Sequence, residues 1–272
     1  METKDITVVI ATFKSENKIY TCLDSLPKTT RILVIENSNN HEFKEKINRK
    51  YSNVECTLLG ENKGYSIANN TGLQKVITKY ALVLNPDTKL EKDTLKNFIK
   101  TAENFPDFWL IGPGNQDNNL INSKYKEISE VENIKGFGMF FNIKKFNQNF
   151  FDENYFLYFE ETDLLLRSKR RNFKSYLIPA LKIRHHRASS VKKNIDTNFL
   201  RAWHYMWSMF YFYKKNYTYM FAFKKVSKFI FKDSIMLLYY LCLMDKNNFK
   251  LRFYRLYGAI SSMIGLKSFL RL

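Results

Sequence analysis

Four groups of residues in this 272-residue chain have the types and spacing that acid–base or metal chemistry needs. The first is Glu160-Glu161-Thr162-Asp163, three carboxylates in four residues at the head of a helical pattern. The helix dipole favours acidic side chains there, which alone explains such a cluster. Yet Tyr155, Phe156, Tyr158 and Phe159 come directly before it. An aromatic wall excludes water and raises a carboxylate toward the range useful to a general base. On that reading Glu161 accepts a proton from a hydroxyl, and Glu160 or Asp163 holds a second hydroxyl or orients the loop. The second group is Asn85-Pro86-Asp87, directly after an apolar run. A single carboxylate there can share a divalent cation with a diphosphate, because magnesium takes few protein carboxylates and completes its shell with phosphate and water. The same tripeptide is also ordinary strand-ending turn chemistry.

The third group is His185-His186, which ends a strand-like run and can offer a metal ligand or a diphosphate contact. Strand alternation points only one of the two inward. The fourth is Asn62-Lys63-Gly64, followed by Asn69 and Gly72. A glycine turn leading into a helix lets the backbone approach a phosphate or a ribose. It is neither a GxGxxG fingerprint nor a P-loop.

The elements that must position these groups follow from hydrophobic pattern. Strands are predicted at Ile6 to Ala11, Arg31 to Ile35, Val54 to Leu59, Tyr80 to Leu84 and Trp109 to Ile111. Helices are predicted at Lys14 to Leu26, His41 to about Tyr51, Tyr65 to Lys79 and Leu90 to Asn104. This alternation implies an α/β fold with a mostly parallel sheet flanked by helices. Ligands of such sheets bind beyond the carboxyl ends of the strands, where Thr12, Glu36 to Ser38 and Asn85 to Asp87 all fall. After about Gly112 the pattern changes. Asn115 to Glu132 is polar, Ile134 to Ile143 and Tyr176 to Ile183 read as strands, Glu160 to Arg171 as a helix, and the chain beyond Asn198 as helical, aromatic and basic.

Charge is uneven. Residues 1–163 hold 21 Lys and Arg against 23 Asp and Glu, whereas residues 164–272 hold 23 against 3. The whole excess of the +18 chain therefore lies in its last two fifths. Such a field suits a polyanionic partner: a membrane surface, a phospholipid-like substrate or nucleic acid. Cys22, Cys56 and Cys242 are odd in number and far apart, which argues against a disulfide framework or a zinc site and for a reducing compartment. The N-terminal apolar run is expected to be a first strand rather than a leader.

Taken in order, VVIATFKSE (8–16), VIENSN (34–39), NKGYSIANNTG (62–72), LVLNPDT (82–88), GFGMFF (136–141), FDENYFLYFEETDL (151–164) and HHRASS (185–190) resemble the family-two inverting glycosyltransferases of the GT-A fold, and within them the rhamnosyltransferase-like branch. The resemblance covers roughly residues 5 to 215. It implies a Rossmann-like catalytic domain over 1–198, with a nucleotide-sugar half at about 1–112 and an acceptor half at about 113–198, and a helical extension over 199–272. It implies that Thr12, Phe13, Glu16, Glu36, Asn37, Asn62, Lys63, Gly64, Asn69, Asn85 and Asp87 line the donor pocket. Asp87 with His185 or His186 would hold Mg²⁺ or Mn²⁺. Glu161 stands at the catalytic base after Glu160, with Asp163 close in sequence, and Gly138, Met139 and Tyr158 fall on the acceptor side. Three positions depart from the family pattern: Asn85 replaces the first Asp of the DxD motif, Glu36 an Asp that contacts the base, and Glu161 an Asp at the catalytic base.

The implied reaction moves a sugar, L-rhamnose in this branch, from a dTDP-, UDP- or GDP-linked donor to a saccharide or a polyprenyl-diphosphate-linked acceptor in cell-surface polysaccharide synthesis. The enzyme would work in the cytoplasm, peripheral on the inner membrane. In the C-terminal part, interleaved aromatics and lysines such as Trp207, Tyr211, Lys214, Phe221, Lys224 and Phe231 suit an interfacial helix on anionic lipid. The alternative is a basic nucleic-acid- or membrane-binding protein on a degenerate, non-catalytic scaffold. It accounts for the charge but leaves the carboxylates and Asn85-Pro86-Asp87 without a role, and no helix-turn-helix, zinc finger or RNA-binding signature is present.

Overall fold

The computed structural model describes residues 3–115, 128–145, 150–185 and 195–271. These form two compact units. The first comprises residues 1–63, 67–151 and 164–191, and the second residues 64–66, 152–163 and 192–272, each within the described ranges.

The first unit is built on one nine-stranded sheet. Its strands are β1 (Ile6–Thr12), β2 (Arg31–Glu36), β3 (Val54–Leu58), β4 (Tyr80–Leu84), β5 (Thr88–Leu90), β6 (Phe108–Asn115), β7 (Ser129–Glu130), β8 (Gly138–Asn142) and β9 (Lys174–His185). The order is β3-β2-β1-β4-β8-β6-β9-β5, with β7 also pairing β9. From β3 to β4 every pairing is parallel. Beyond β4 the pairing is mixed: β8 runs antiparallel to β4 and β6, β6 is parallel to β9, and β5 is antiparallel to β9.

Helices α1 (Glu16–Asp24), α2 (His41–Lys50), α3 (Tyr65–Gln74) and α4 (Thr94–Asn104) connect the early strands. β1 shows why its sequence is largely apolar. Ile6, Val8 and Ile10 join Ile19, Cys22 and Leu23 of α1 and Phe98 of α4 in one core. Val9 points to the opposite layer, where Gly72 of α3 sits so close that an added Cβ would lie 2.3 Å from Val9 Cγ1. A strand buried on both faces reads as a continuous apolar run, the mark of a covered parallel sheet.

Several boundaries differ from those read in sequence. The helix expected from Leu90 starts at Thr94, because Thr88–Leu90 pairs with β9 as β5. A three-residue strand carries no period of its own, so only its partner reveals it. The helix expected to Lys79 stops at Gln74. The strand expected over Ile134 to Ile143 covers only Gly138–Asn142. That expected over Trp109 to Ile111 runs from Phe108 to Asn115.

The second unit contains α6 (Ile195–Asn216), α7 (Tyr219–Cys242) and α8 (Lys246–Met263). Met206, Met209 and Phe210 pack with Ala222, Val226 and Ala259. Gly258 lets α8 approach α6 closely, since a Cβ there would lie 2.2 Å from the Trp203 carbonyl oxygen. Asp233 of α7 is buried and accepts hydrogen bonds from Arg252 (2.8 Å) and Arg255 (2.7 Å) of α8. Helix α5 (Glu160–Lys169) begins in the second unit and continues into the first. No helix among the described residues is long and apolar enough to cross a membrane.

Candidate active site

In the first unit, parallel strands bring separate sequence motifs to one sheet edge. Thr12 lies opposite Glu36 in the β1–β2 register, and the Asn37 N–H donates to the Thr12 carbonyl at 2.8 Å. The Asn37 side-chain oxygen accepts from the Lys63 N–H at 2.8 Å, which ties the Asn62-Lys63 turn to the end of β2. Glu16, in the first turn of α1, accepts from Asn40 Nδ2 at 3.0 Å, and Asn40 caps α2. Phe13 is half-buried beside these groups in sequence, and Lys14 Nζ lies 5.0 Å from its ring.

Glu36 is buried. One oxygen accepts from Ser38 Oγ at 2.6 Å, and the other has no hydrogen-bond partner among the described residues. Burial raises its pKa to about 7, with the Ser38 bond opposing and the Glu16 charge adding to the rise. Thr12 Oγ1 is likewise buried with no hydrogen-bond partner among the described residues. Buried polar atoms left unpaired cost stability, and functional sites are where such costs are found.

Asn85 and Asp87 follow β4. The Asn85 N–H donates to the Phe137 carbonyl at 3.0 Å, and the Asn85 carbonyl accepts from Thr88 Oγ1 at 2.7 Å. This turn reverses the chain into β5, whose Thr88 pairs with His185 of β9. His185 is thereby placed with Nε2 3.3 Å from Asp87 Oδ1 and 3.5 Å from Asn85 Nδ2, while its ring stacks on Phe137 at 4.8 Å. A carboxylate oxygen and an imidazole nitrogen at that separation suit two ligands of one divalent ion whose other positions go to diphosphate and water. Among the described residues no group of three or more His, Cys, Asp or Glu converges on a metal position, so the fit rests on this pair. His186, Ser189 and Ser190 lie outside the described residues.

Gly138 is the first residue of β8, opposite Leu84, and Met139 beside it is fully buried. Asn69 is buried in α3, and its neighbour Asn70 clamps Phe151 through two hydrogen bonds of 2.8 and 2.9 Å.

The second unit holds the carboxylate cluster. Gly64 has φ +89, and an added Cβ would lie 2.6 Å from the Phe156 carbonyl. The adjacent Tyr65 N–H donates to that carbonyl at 2.9 Å. The 62–64 turn thus needs glycine for both its conformation and its contact. Tyr158 and Phe159 are both left-handed, at φ 71 and 68. Two such aromatic residues in succession store about 1–3 kcal/mol each, a cost that clusters at functional loops. They are held by ring contacts with Tyr205 and Phe212 of α6.

Glu160 and Glu161 open α5 from this loop. Glu160 is buried, and its Oε2 has no hydrogen-bond partner among the described residues. Burial and then the charge of Glu161 raise its pKa well above the usual carboxylate range. Burial raises the pKa of Glu161 too. Asp163 is different: Lys215 Nζ donates to one oxygen at 2.7 Å and Asn216 Nδ2 to the other at 2.8 Å. Lys215 also donates to Asp152 at 2.7 Å, and Tyr211 OH donates to the same Asp152 oxygen at 3.0 Å. Asp163 therefore ties the start of α5 to α6.

Three supporting residues were not singled out from sequence for these tasks. Ser38 lay within a motif, but only the fold shows its bond to Glu36. Phe137 packs on His185 across strands. Lys215 sits in the run of aromatics and lysines of the C-terminal part, and no local signal distinguishes it.

Comparison with known proteins places this geometry. The family profile for Glycosyl transferase family 2 matches residues 7–164. The chain belongs to that family. The low-salt glycan biosynthesis hexosyltransferase Agl10 of Haloferax volcanii is 23% identical, over 62% of this chain and 62% of its own length. Glycosyltransferase GlyA of Streptococcus pneumoniae is 29% identical over 35% of this chain and 14% of its own length. The chain thus spans less than two thirds of either relative. Among solved structures, the mannosyltransferase PcManGT of Pyrobaculum calidifontis, in complex with GDP-Man and Mn²⁺, aligns with a TM-score of 0.60 at 14% identity, covering 95% of this chain and 87% of that one. TarS 1–349 of S. aureus, in complex with UDP-GlcNAc, aligns at 0.58 with 14% identity, covering 96% and 92%. The fold is the GT-A type, a curled Rossmann-like sheet flanked by helices and followed by C-terminal helices.

Proposed function

We propose that the protein is a metal-dependent, inverting glycosyltransferase that moves a hexose from a nucleotide sugar to an acceptor hydroxyl. The observation that carries this is the pairing of Asp87 with His185 at the carboxyl edge of the sheet, in a chain whose family is defined by sugar transfer. Glu36, Asn37 and Thr12 receive the nucleoside, and Asn62, Lys63 and Gly64 close around the donor. Asp87 and His185 would hold Mg²⁺ or Mn²⁺, and a divalent ion there would supply positive charge against the charge that develops on the leaving nucleotide.

Glu161 removes the proton of the acceptor hydroxyl. The hydroxyl oxygen bonds to the anomeric carbon, the bond from that carbon to the diphosphate breaks, and the nucleoside diphosphate leaves. The raised pKa of Glu161 makes it a better base than an ordinary carboxylate. Glu160 supports it, and Asp163 positions the loop through Lys215. Gly138, Met139 and Tyr158 shape the acceptor side. The branch resemblance favours dTDP-rhamnose as donor. A saccharide or polyprenyl-diphosphate acceptor in cell-surface polysaccharide synthesis, at the cytoplasmic face of an anionic inner membrane, belongs to the same reading.

A thermal-shift panel of dTDP-, UDP- and GDP-sugars, with and without Mn²⁺, tests the proposal. One donor is expected to raise Tm, and more so with metal, because a ligand of the native state stabilises it by mass action. If no nucleotide sugar shifts Tm under either condition, the assignment fails.

A further inference from the structure

Helix α7 carries an apolar stripe that nothing within the second unit covers. Its buried residues Ala222, Val226 and Asp233 mark one face. At about 100° per residue, Met220, Phe231, Ile235 and Leu238 fall on the opposite one, with Phe223 and Leu241 on its flank and the exposed Lys224 within it near the helix start. Met220 is 71% exposed, Phe231 70% and Leu238 64%. The stripe is unbroken from Phe231 to Leu241, about 15 Å of the 24-residue helix. An exposed apolar surface of this kind marks an interaction site.

The charges beside the stripe say what it meets. Lys224, Lys225, Lys228 and Lys232 project from α7, and all are exposed. The one acid of the helix, Asp233, is buried under Arg252 and Arg255 of α8. The charge that α7 presents outward is therefore entirely positive. Two copies pairing stripe to stripe would bring these lysines together at a like-charge cost. A bilayer surface supplies hydrocarbon for the stripe and anionic headgroups for the lysines at once. The helix also falls outside the limits for crossing a membrane.

We propose that α7 lies in the plane of an anionic lipid surface, with the Phe231–Leu241 stripe in the acyl boundary and the long side chains of Lys224, Lys228 and Lys232 reaching the headgroups. This rests on the membrane part of the proposed function and names the helix, its orientation and the lipid class.

Flotation of the full chain with phosphatidylcholine vesicles, with and without added phosphatidylglycerol, tests it. Binding is expected only to the anionic vesicles at low salt and should weaken as salt screens the charges. F231E/L238E should abolish it, and K224Q/K228Q/K232Q should lower partitioning by about a hundredfold, since each headgroup-level lysine contributes about a factor of five. These substitutions are on the surface and should leave the donor-induced Tm shift intact. Failure of the unsubstituted chain to float overturns the inference, as does equal binding to neutral vesicles. A stable dimer by light scattering that F231E/L238E dissolves would assign the stripe to a second copy instead. Salt-sensitive binding to random duplex DNA in place of vesicles would also overturn it. A donor shift without flotation sinks this inference alone, and flotation without a donor shift sinks the transferase reading alone.

Discussion

Glu161 is the residue on which the proposed chemistry turns. Replacing it with Gln keeps size and hydrogen bonding but removes the base. Turnover is expected to fall about 10²–10⁴-fold with donor affinity retained, as read by steady-state kinetics beside calorimetric donor titration. Near-normal turnover would move the base elsewhere. Glu36 makes a separate prediction. Its pKa rises to about 7 in the folded chain because burial penalises the charge. A carboxyl raised on folding contributes stability that is present below its unfolded value, about 4.3, and is lost as pH rises through the folded one. Glu36→Gln cannot ionise, so its Tm relative to the unsubstituted protein should climb between about pH 5 and pH 8. A Tm difference that stays flat over that range would mean Glu36 is not held as described.

At the scale of elements, two connections decide whether these side chains meet their tasks. The first is the turn at Gly64, whose positive φ and contact with the Phe156 carbonyl leave no room for a side chain. Gly64→Ala is expected to cost about 1–3 kcal/mol, read as a lower denaturation midpoint, through strain and displacement of the 155–159 loop. The second is Lys215, which holds Asp152 and Asp163 together. Lys215→Met leaves the fully buried Asp163 without its cation. The expected loss is about 2 kcal/mol, below the ~3–5 kcal/mol of a fully buried pair because Lys215 keeps some contact with water. If the midpoint does not move, this bridge is not what anchors α5 to α6. Of the strands, β1, β2 and β4 were legible because each is a largely apolar run buried on both faces. β5 was not, since its three residues become a strand only by pairing with β9.

At the scale of the whole molecule, donor and metal should act together. A nucleotide sugar at about a hundred times its Kd should stabilise the chain by about 2.7 kcal/mol. Chelation with EDTA is expected to remove most of that gain and nearly all turnover, and added Mn²⁺ should restore both. Donor binding and turnover that ignore chelation would remove Asp87 and His185 from the metal role. The charge of the chain is also a property of this scale. Its excess falls entirely after residue 163, and the described second unit carries the lysines of α7.

Local pattern was enough to reveal the α/β alternation, the strand-end placement of Thr12, Glu36 and Asp87, the acidic head of α5 and the basic helical C-terminal part. Hydrophobic periodicity and turn chemistry act between near neighbours, so a single chain segment contains that information. The approach of His185 to Asp87, the bridge from Lys215 to Asp163, the burial that lifts Glu36 and Glu160, and the uncovered face of α7 depend on residues tens of positions apart. Those contacts and desolvations exist only after the sheet and the helices have packed, and no local pattern encodes them.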